Sequence, residues 1–138
     1  IYPCEKTNNS NLKKTKTIFS AVGKVVELKQ ENKMDIVTAI SGSGPAYVFL
    51  LIEYLIKSAV TNGLDQKTAG ILVKETLLGA SYMASISPKS PDKLRIDVTS
   101  PGGVTEAALE EFNKNSIFLK TIDKAISAAV KKSISLSS

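Results

Sequence analysis

The chain has 138 residues, of which 43% are hydrophobic and 22% charged, and its formal net charge is +5. This length suits one domain, or one domain with part of another, and the hydrophobic content is sufficient for a core. The chain has no histidine and one cysteine, which excludes Ser–His–Asp and Cys–His catalysis, an internal disulfide and most zinc sites. Residues 1–34 hold seven Lys against three Glu, but one Arg in the whole chain is too few for a nucleic-acid surface.

The first segment, residues 1–33, is predicted to form a strand, a helix and a second strand. The apolar IYP is stopped by Pro3, and NNSNLKKTKTIFSAVGK offers Asn or Ser as a helix N-cap and Gly23 as the stop. The β-branched KVVEL follows as a strand would. Such a fragment cannot bury itself, and it is typical of the end of a parallel-sheet domain.

The pattern is helical from Met34 onward. MDIVTAI predicts a short helical segment that SGSGP ends, and Pro45 suits the first turn of the next helix. That helix, residues 46–61, is apolar on nearly every side, which predicts burial by a second subunit. Its longest apolar run, residues 46–52, falls far short of the ~20 residues that span a bilayer.

The remaining chain predicts three further helices. Gly63 ends the apolar helix, and Asp65 is a good N-cap for a helix over residues 66–85. SPKSPDK is predicted to be a loop. One helix then ends at about Asn113, and the last begins at Ser116.

The segment TSPGGVTE joins a loop to a helix and predicts a site for an anion. Backbone N–H groups at a helix start have no partner inside the helix, and the positive end of the helix dipole lies there. Gly102 and Gly103 would let a ligand approach these groups, and Ser100 and Thr105 add hydroxyls. A carboxylate held by Ser100 and the amides near Gly103 and Val104 is the expected ligand.

Both glycine motifs also have a purely structural interpretation, and these alternatives stay open at this point. The helix after TSPGG could cap itself, with Ser100 as N-cap and Pro101 as its first residue. The SGSGPAY motif is either a tight loop against a ligand or another chain, or a hinge between two helices.

Three stretches in this order, MDIVTAISGSGPAYVF, NGLDQKTAGILVKETLLGASYM and LRIDVTSPGGVTEAALEEF, closely resemble the C-terminal half of pyrroline-5-carboxylate reductases. The resemblance covers essentially residues 1–130, and Ser–Pro–Gly–Gly–x–Thr is the family's signature. It implies a mainly α fold, with an interlocking helical dimerisation and substrate-binding domain in residues 34–138. Residues 1–33 would be a short strand–helix–strand remnant of an α/β Rossmann domain.

The resemblance implies an oxidoreductase that reduces the C=N bond of 1-pyrroline-5-carboxylate to L-proline, the final step of proline biosynthesis. NADP or NAD is bound in this family by an N-terminal Rossmann domain. We therefore expect no cofactor-binding residues in this chain and no reductase activity of the chain alone. The expected partners are the small imino acid and a second copy, in a homodimer that can assemble further. We expect no nucleic-acid or membrane partner, and a cytoplasmic protein.

The same resemblance implies roles for individual residues. Ser100 and the backbone amides of Gly103 and Val104 would hold the substrate carboxylate, with Gly102 in the same substrate-binding set. Thr105 would take the one catalytic role, a hydrogen bond to the ring nitrogen. The SGSG turn would line the nicotinamide side of the pocket, with these pocket-lining residues: Thr38, Ser41, Gly42 and Ser43. No metal site is expected.

The sequence departs from the family pattern at two places. The family usually has Asp directly after the basic residue that precedes the signature, whereas here Ile96 stands there and Asp97 comes one later. Many members have an acidic or His residue just before the proline at Pro91, where this chain has Lys89 and Ser90. Two other functions stay open: a non-catalytic dimerising or carboxylate-binding module, and a reductase of the same family for another cyclic imino acid.

Overall fold

The computed structural model describes residues 1–137, and its regular secondary structure there is helical, which confirms the mainly α prediction. Two 3-10 turns, Glu31–Lys33 and Lys114–Ser116, and a π-helical turn, Thr38–Gly42, accompany seven α-helices. The helices are α1 Asn9–Ser20, α2 Met34–Val37, α3 Gly44–Thr61, α4 Gln66–Ile86, α5 Pro91–Asp97, α6 Val104–Asn113 and α7 Ile117–Ser137.

The chain divides into two compact units, and the division falls twice along the sequence. One unit joins Ile1–Ser43 to the C-terminal part from Ile126 onward, and the other is the continuous segment Gly44–Ala125. In the first unit, the Ser133 hydroxyl donates to the Asp35 carboxylate at 2.6 Å, a contact between residues 98 positions apart. In the second, α3 packs against α4. The first unit is therefore assembled from both ends of the chain.

The two strands predicted in residues 1–33 are absent as strands from the described residues. The N-terminal amine of Ile1 donates to the Val26 carbonyl at 2.7 Å, and the Leu28 N–H donates to the Ile1 carbonyl at 2.8 Å. These two bonds are those of a parallel pair, but a single residue on one side is too little for a ladder. The predicted helix between them is present as α1, and its N-cap is Asn8, which accepts from the Asn11 N–H.

The turn between α3 and α4 follows the predicted chemistry at both residues. Gly63 has φ +103°, and the Leu64 N–H donates to the Ala59 carbonyl at 3.1 Å, which is the bonding of a Schellman motif. Asp65 then caps α4 by accepting from the N–H groups of Lys67 and Thr68, each at 3.0 Å. Glycine and aspartate thus end one helix and begin the next within three residues.

The SGSGP segment does not end the preceding helix as predicted. The Ser43 N–H donates to the Thr38 carbonyl at 2.9 Å, five residues back, which closes a π turn. Ser43 keeps right-handed helical dihedrals, so the helical backbone runs from Glu31 to Thr61. By length and composition this stretch could cross a bilayer, which the shorter apolar run in the sequence did not indicate.

The loop predicted over SPKSPDK is shorter than expected, because Pro91 begins α5.

The described residues bury very little of their apolar surface. Only Ala39 and Ala69 are buried hydrophobic residues there, and both have small side chains. Large apolar side chains stand exposed along α3, where Phe49 retains 67% of its surface and Tyr54 58%. The sequence predicts that this apolar helix is buried by a second subunit. In the single chain the large apolar side chains of α3 are exposed.

The Asp65 cap gives a prediction for stability and its pH dependence. Hydrogen bonds from the side chain and then the backbone of Thr68 lower the pKa of Asp65. We expect Asp65→Ala to lower the melting temperature at pH 7, because two N–H groups of α4 lose their acceptor. Asp65→Asn is the matched control, since it keeps an acceptor and loses only the charge.

The charge should matter only at sufficiently high pH. A lowered folded-state pKa gives Asp65 an advantage over Asn that is complete above the unfolded pKa of about 3.9. That advantage is lost as the pH falls through the lower folded pKa. Thermal unfolding followed by circular dichroism between pH 2 and 7 measures both effects. An Asp65→Ala protein that melts with the wild type at pH 7 would contradict the capping role.

Candidate functional site

The signature segment forms a tight turn between α5 and α6. The Gly103 N–H donates to the Ser100 carbonyl at 3.0 Å, which closes a β-turn over residues 100–103. Pro101 stands at its second position, and Gly102, with φ +69°, stands at its third. This is the pattern of a type II turn, in which proline sets one dihedral and glycine supplies a positive φ.

Both glycines are explained first by the turn itself. A side chain at Gly102 would have to adopt a left-handed conformation. A Cβ at Gly103 would lie 2.9 Å from the Ser100 carbonyl oxygen, which is backbone and cannot move aside cheaply. The sequence argument that two glycines imply clearance for a ligand is therefore incomplete, since the turn requires them without one.

The helix that follows begins three residues later than self-capping by Ser100 would place it. Gly103 is the N-cap of α6 and Val104 its first residue, and Gly103 has no side chain to cap with. The alternative in which Ser100 is the N-cap and Pro101 the first helical residue is wrong. The reason is that Pro101 and Gly102 form a separate β-turn before the helix begins.

Several donors around the turn have no acceptor among the described residues. They are the backbone N–H groups of Val104 and Thr105, in the first turn of α6, and the hydroxyls of Ser100 and Thr105. Val104 keeps 90% of its surface exposed, and Ser100 and Thr105 are exposed as well. A carboxylate is the ligand that such a set of donors at a positive helix end would hold. The Gly103 N–H, also expected to donate, is engaged within the turn.

A carboxylate from the chain itself reaches this turn. Glu106, in the first turn of α6, accepts from the Gly102 N–H at 2.7 Å, and its side chain is half-buried. Sequence analysis did not single out this residue. The signal that could have found it is the spacing of a capping box, in which Glu three residues after the N-cap turns back to a backbone N–H.

The second predicted cluster, Thr38, Ser41, Gly42 and Ser43, lies in and beside the π turn. The Ser41 hydroxyl donates to the Val37 carbonyl at 2.9 Å, and a Cβ at Gly42 would meet the Thr38 methyl at an ordinary 3.7 Å. The π turn shifts these residues out of α-helical register, a feature frequent at functional sites. This cluster belongs to the first compact unit and the signature turn to the second.

Lys89 and Asp97, which belong to the two departures from the family pattern, form an ion pair. The Lys89 ammonium lies 2.6 Å from the Asp97 carboxylate, with both side chains roughly half exposed. Asp97 is the last residue of α5, and Lys89 precedes its N-cap, so the pair spans the helix. The shifted Asp97 therefore has a partner that the family pattern does not supply. A pair this exposed adds at most about 1 kcal/mol.

The described residues do not fit a dinucleotide. They contain no strand that leads through a glycine-rich turn into a helix, which is the arrangement that binds a pyrophosphate. Their SGSG segment forms part of a π turn instead. Within residues 1–137, no group of three His, Cys, Asp or Glu side chains comes together as a metal site would need.

Comparison with known proteins points to one family. A family model described as pyrroline-5-carboxylate reductase dimerisation matches residues 31–136. The chain is 49% identical over 121 residues to the pyrroline-5-carboxylate reductase of Arabidopsis thaliana, covering 87% of this chain and 43% of that protein. It is 39% identical over 136 residues to that of Pseudomonas aeruginosa, covering 99% and 50%. The chain thus spans about half the length of the relatives that it matches.

Solved structures agree with the sequence matches. A pyrroline-5-carboxylate reductase from Coxiella burnetii superposes with a TM-score of 0.92 at 36% identity, over 98% of this chain and 50% of that one. The pyrroline carboxylate reductase of Plasmodium falciparum, solved with NADP bound, gives a TM-score of 0.86 at 40% identity. That superposition covers 97% of this chain and 50% of the other.

The turn geometry predicts which glycines tolerate a methyl group. We expect Gly102→Ala and Gly103→Ala each to lower the free energy of unfolding by about 1–2 kcal/mol. The alanine at 102 would be forced into a left-handed conformation, and the Cβ at 103 would clash with the Ser100 carbonyl oxygen. Gly23→Ala is the control, because no atom lies within 4 Å of a Cβ there. Urea unfolding measures all three. If Gly102→Ala and Gly103→Ala both unfold at the urea concentration at which the wild type unfolds, the turn does not require glycine at these positions.

Proposed function

The chain belongs to the pyrroline-5-carboxylate reductase family, and we propose that it supplies the dimerisation and substrate-binding part of such a reductase. The reaction would be reduction of the C=N bond of 1-pyrroline-5-carboxylate to L-proline, with NADH or NADPH as the hydride donor. The observation that carries the proposal is the set of free donors around the signature turn: the Ser100 and Thr105 hydroxyls and the Val104 and Thr105 amides. An anionic, cyclic substrate suits this set.

The substrate carboxylate is assigned to the beginning of α6. The N–H of Val104 projects from the first turn of that helix without an acceptor among the described residues, and the helix dipole adds to its attraction for an anion. The Ser100 hydroxyl, one residue before Pro101, supplies a further donor. Gly102 and Gly103 allow the backbone to form the turn, so their proposed role in substrate binding is to set the shape of the turn.

Thr105 is assigned to the ring nitrogen. It is the second residue of α6, it is exposed, and its hydroxyl is free to donate or accept. Fixing both the carboxylate and the nitrogen would orient the planar imine, and orientation is how such a site accelerates a reaction. The dinucleotide supplies the hydride when bound, and we place its binding outside residues 1–137. The role of Thr38, Ser41, Gly42 and Ser43, in the first compact unit, stays a prediction from the family resemblance.

A second copy of the chain is the proposed partner of the exposed apolar surface. The family model that matches residues 31–136 is that of a dimerisation domain, and α3 within it exposes Tyr47, Phe49 and Tyr54. The stretch Glu31–Thr61 could also enter a bilayer by composition, but Glu53 and Lys57 lie along it with the serine and glycine residues of the π turn. A protein–protein interface tolerates these groups better than lipid does. Cys4 is a free thiol, in keeping with a reducing compartment such as the cytoplasm.

Binding of the product tests the carboxylate assignment. We expect L-proline to bind the wild-type chain, measured by calorimetry at millimolar ligand, and Ser100→Ala to weaken binding about 10-fold, because a hydrogen bond to a charged group is lost. Thr105→Val should weaken binding about 5-fold through loss of a neutral hydrogen bond. Thr105→Ser, which keeps the hydroxyl, is its control. No heat from L-proline with the wild type would count against the site.

The oligomeric state tests the dimer. We expect the wild-type chain to scatter light as a dimer at micromolar concentration, and Phe49→Glu to shift it toward monomer by placing a charge on the α3 surface. Val22→Glu is the matched control: Val22 is 86% exposed and lies outside residues 31–136. A monomeric wild type, or equal effects of the two variants, would refute α3 as the dimer contact.

A further inference from the structure

Glu106 brings a negative charge to the place where the substrate carboxylate is proposed to bind. Its carboxylate accepts from the Gly102 N–H at 2.7 Å, and Gly102 lies inside the signature turn. The nearby acidic residues of the same helix differ: Glu111 lies 3.5 Å from the Lys114 ammonium, and Glu110 has no contact of this kind. Among the three glutamates of α6, only Glu106 therefore reaches the signature turn.

The contact has two physical effects that act against each other. A carboxylate in the first turn of a helix stabilises it through the helix dipole and the N–H group that it accepts from. The same negative charge repels any second anion at that helix end. The amide of Gly102 also becomes unavailable to a ligand while Glu106 accepts from it.

We propose that Glu106 is an affinity-determining residue of the signature site, which competes with the substrate carboxylate for the α6 N-terminus. The inference rests on the proposed function, because it assumes that a carboxylate ligand binds at Ser100 and Val104. Binding of the ligand requires the Glu106 carboxylate to turn away from the Gly102 amide. The cost of this rearrangement and the charge repulsion weaken binding. A neutral side chain at residue 106 relieves the repulsion, and a side chain without an acceptor also relieves the rearrangement.

The probe should be an anion that offers no positive charge to Glu106. L-Proline carries an ammonium group, which Glu106 could attract, so its binding would mix two opposite effects. Cyclopentanecarboxylate keeps the five-membered ring and the carboxylate without the nitrogen. Cyclopentanecarboxamide has the same shape and no charge, and it reports every effect of a variant other than charge.

The experiment compares the wild-type chain with Glu106→Gln, which keeps size and removes charge. We expect Glu106→Gln to bind cyclopentanecarboxylate about 3- to 5-fold more tightly by calorimetry, in keeping with a charge at an exposed helix end. Glu110→Gln removes the same charge one turn further along α6 and should bind as the wild type does. Cyclopentanecarboxamide should not distinguish the three proteins.

A second variant and a second measurement guard against loss of structure. Glu106→Ala removes both charge and acceptor, and it should also tighten anion binding if α6 stays folded by circular dichroism. Hydrogen exchange of the Gly102 amide, followed by NMR, should accelerate in Glu106→Ala and not in Glu110→Gln. An unchanged exchange rate would show that Glu106 does not hold that amide, and would overturn the inference.

The outcomes separate this inference from the proposed function. If all proteins bind cyclopentanecarboxylate equally, or the Glu106 variants bind it more weakly, competition by Glu106 is refuted while the carboxylate site stands. If no protein binds the anion at accessible concentrations, removal of Glu106 does not open the site. That result overturns the inference and also counts against the signature turn as a carboxylate site.

Discussion

The apolar surface that a single chain cannot bury is the constraint on which the rest of the structure depends. Burial of apolar area contributes roughly 25 cal/mol per Å², and it is the main favourable term in folding. Among the described residues only Ala39 and Ala69 are buried hydrophobic residues, while α3 and α4 carry exposed Leu, Ile, Phe and Tyr. Exposed side chains of this kind add stability when a further surface covers them. The family model that matches residues 31–136 is that of a dimerisation domain, and the proposed second copy would supply a surface that covers these side chains.

The signature turn has a different origin, because it depends on backbone geometry and hardly at all on burial. Its closing bond joins Ser100 to Gly103, and its glycines satisfy φ and clearance requirements inside the turn. Such a turn fixes the direction in which the first N–H groups of α6 point, whatever covers the apolar helices. In the proposed function, recognition of a small anion and association of the helices fall to separate parts of the chain.

Sequence reasoning succeeded where the signal was local and failed where it depended on neighbours. Asp65 and Gly63 could be assigned because a cap and a left-handed helix end involve only adjacent residues. The strands around Ile1 and Val26 could not be assigned correctly, because a β-ladder needs more bonded residues than the Ile1 backbone supplies. Ser100 and Thr105 were predicted as donors of the site and their role stays a prediction, whereas the contact of Glu106 was missed. Its contact depends on where α6 begins, and the sequence left that boundary open between Pro101 and Val104.

The hydrogen bond between Ser133 and Asp35 has a consequence for how the chain acquires its structure on the ribosome. The first compact unit joins Ile1–Ser43 to residues from Ile126 onward, so its formation requires contacts between segments about a hundred positions apart. The segment Gly44–Ala125, continuous and rich in local helical contacts, can organise before the C-terminal residues emerge. Truncation within the final turns of α7 would therefore remove Ser133 and leave Asp35, about a hundred positions earlier in the chain, without this partner.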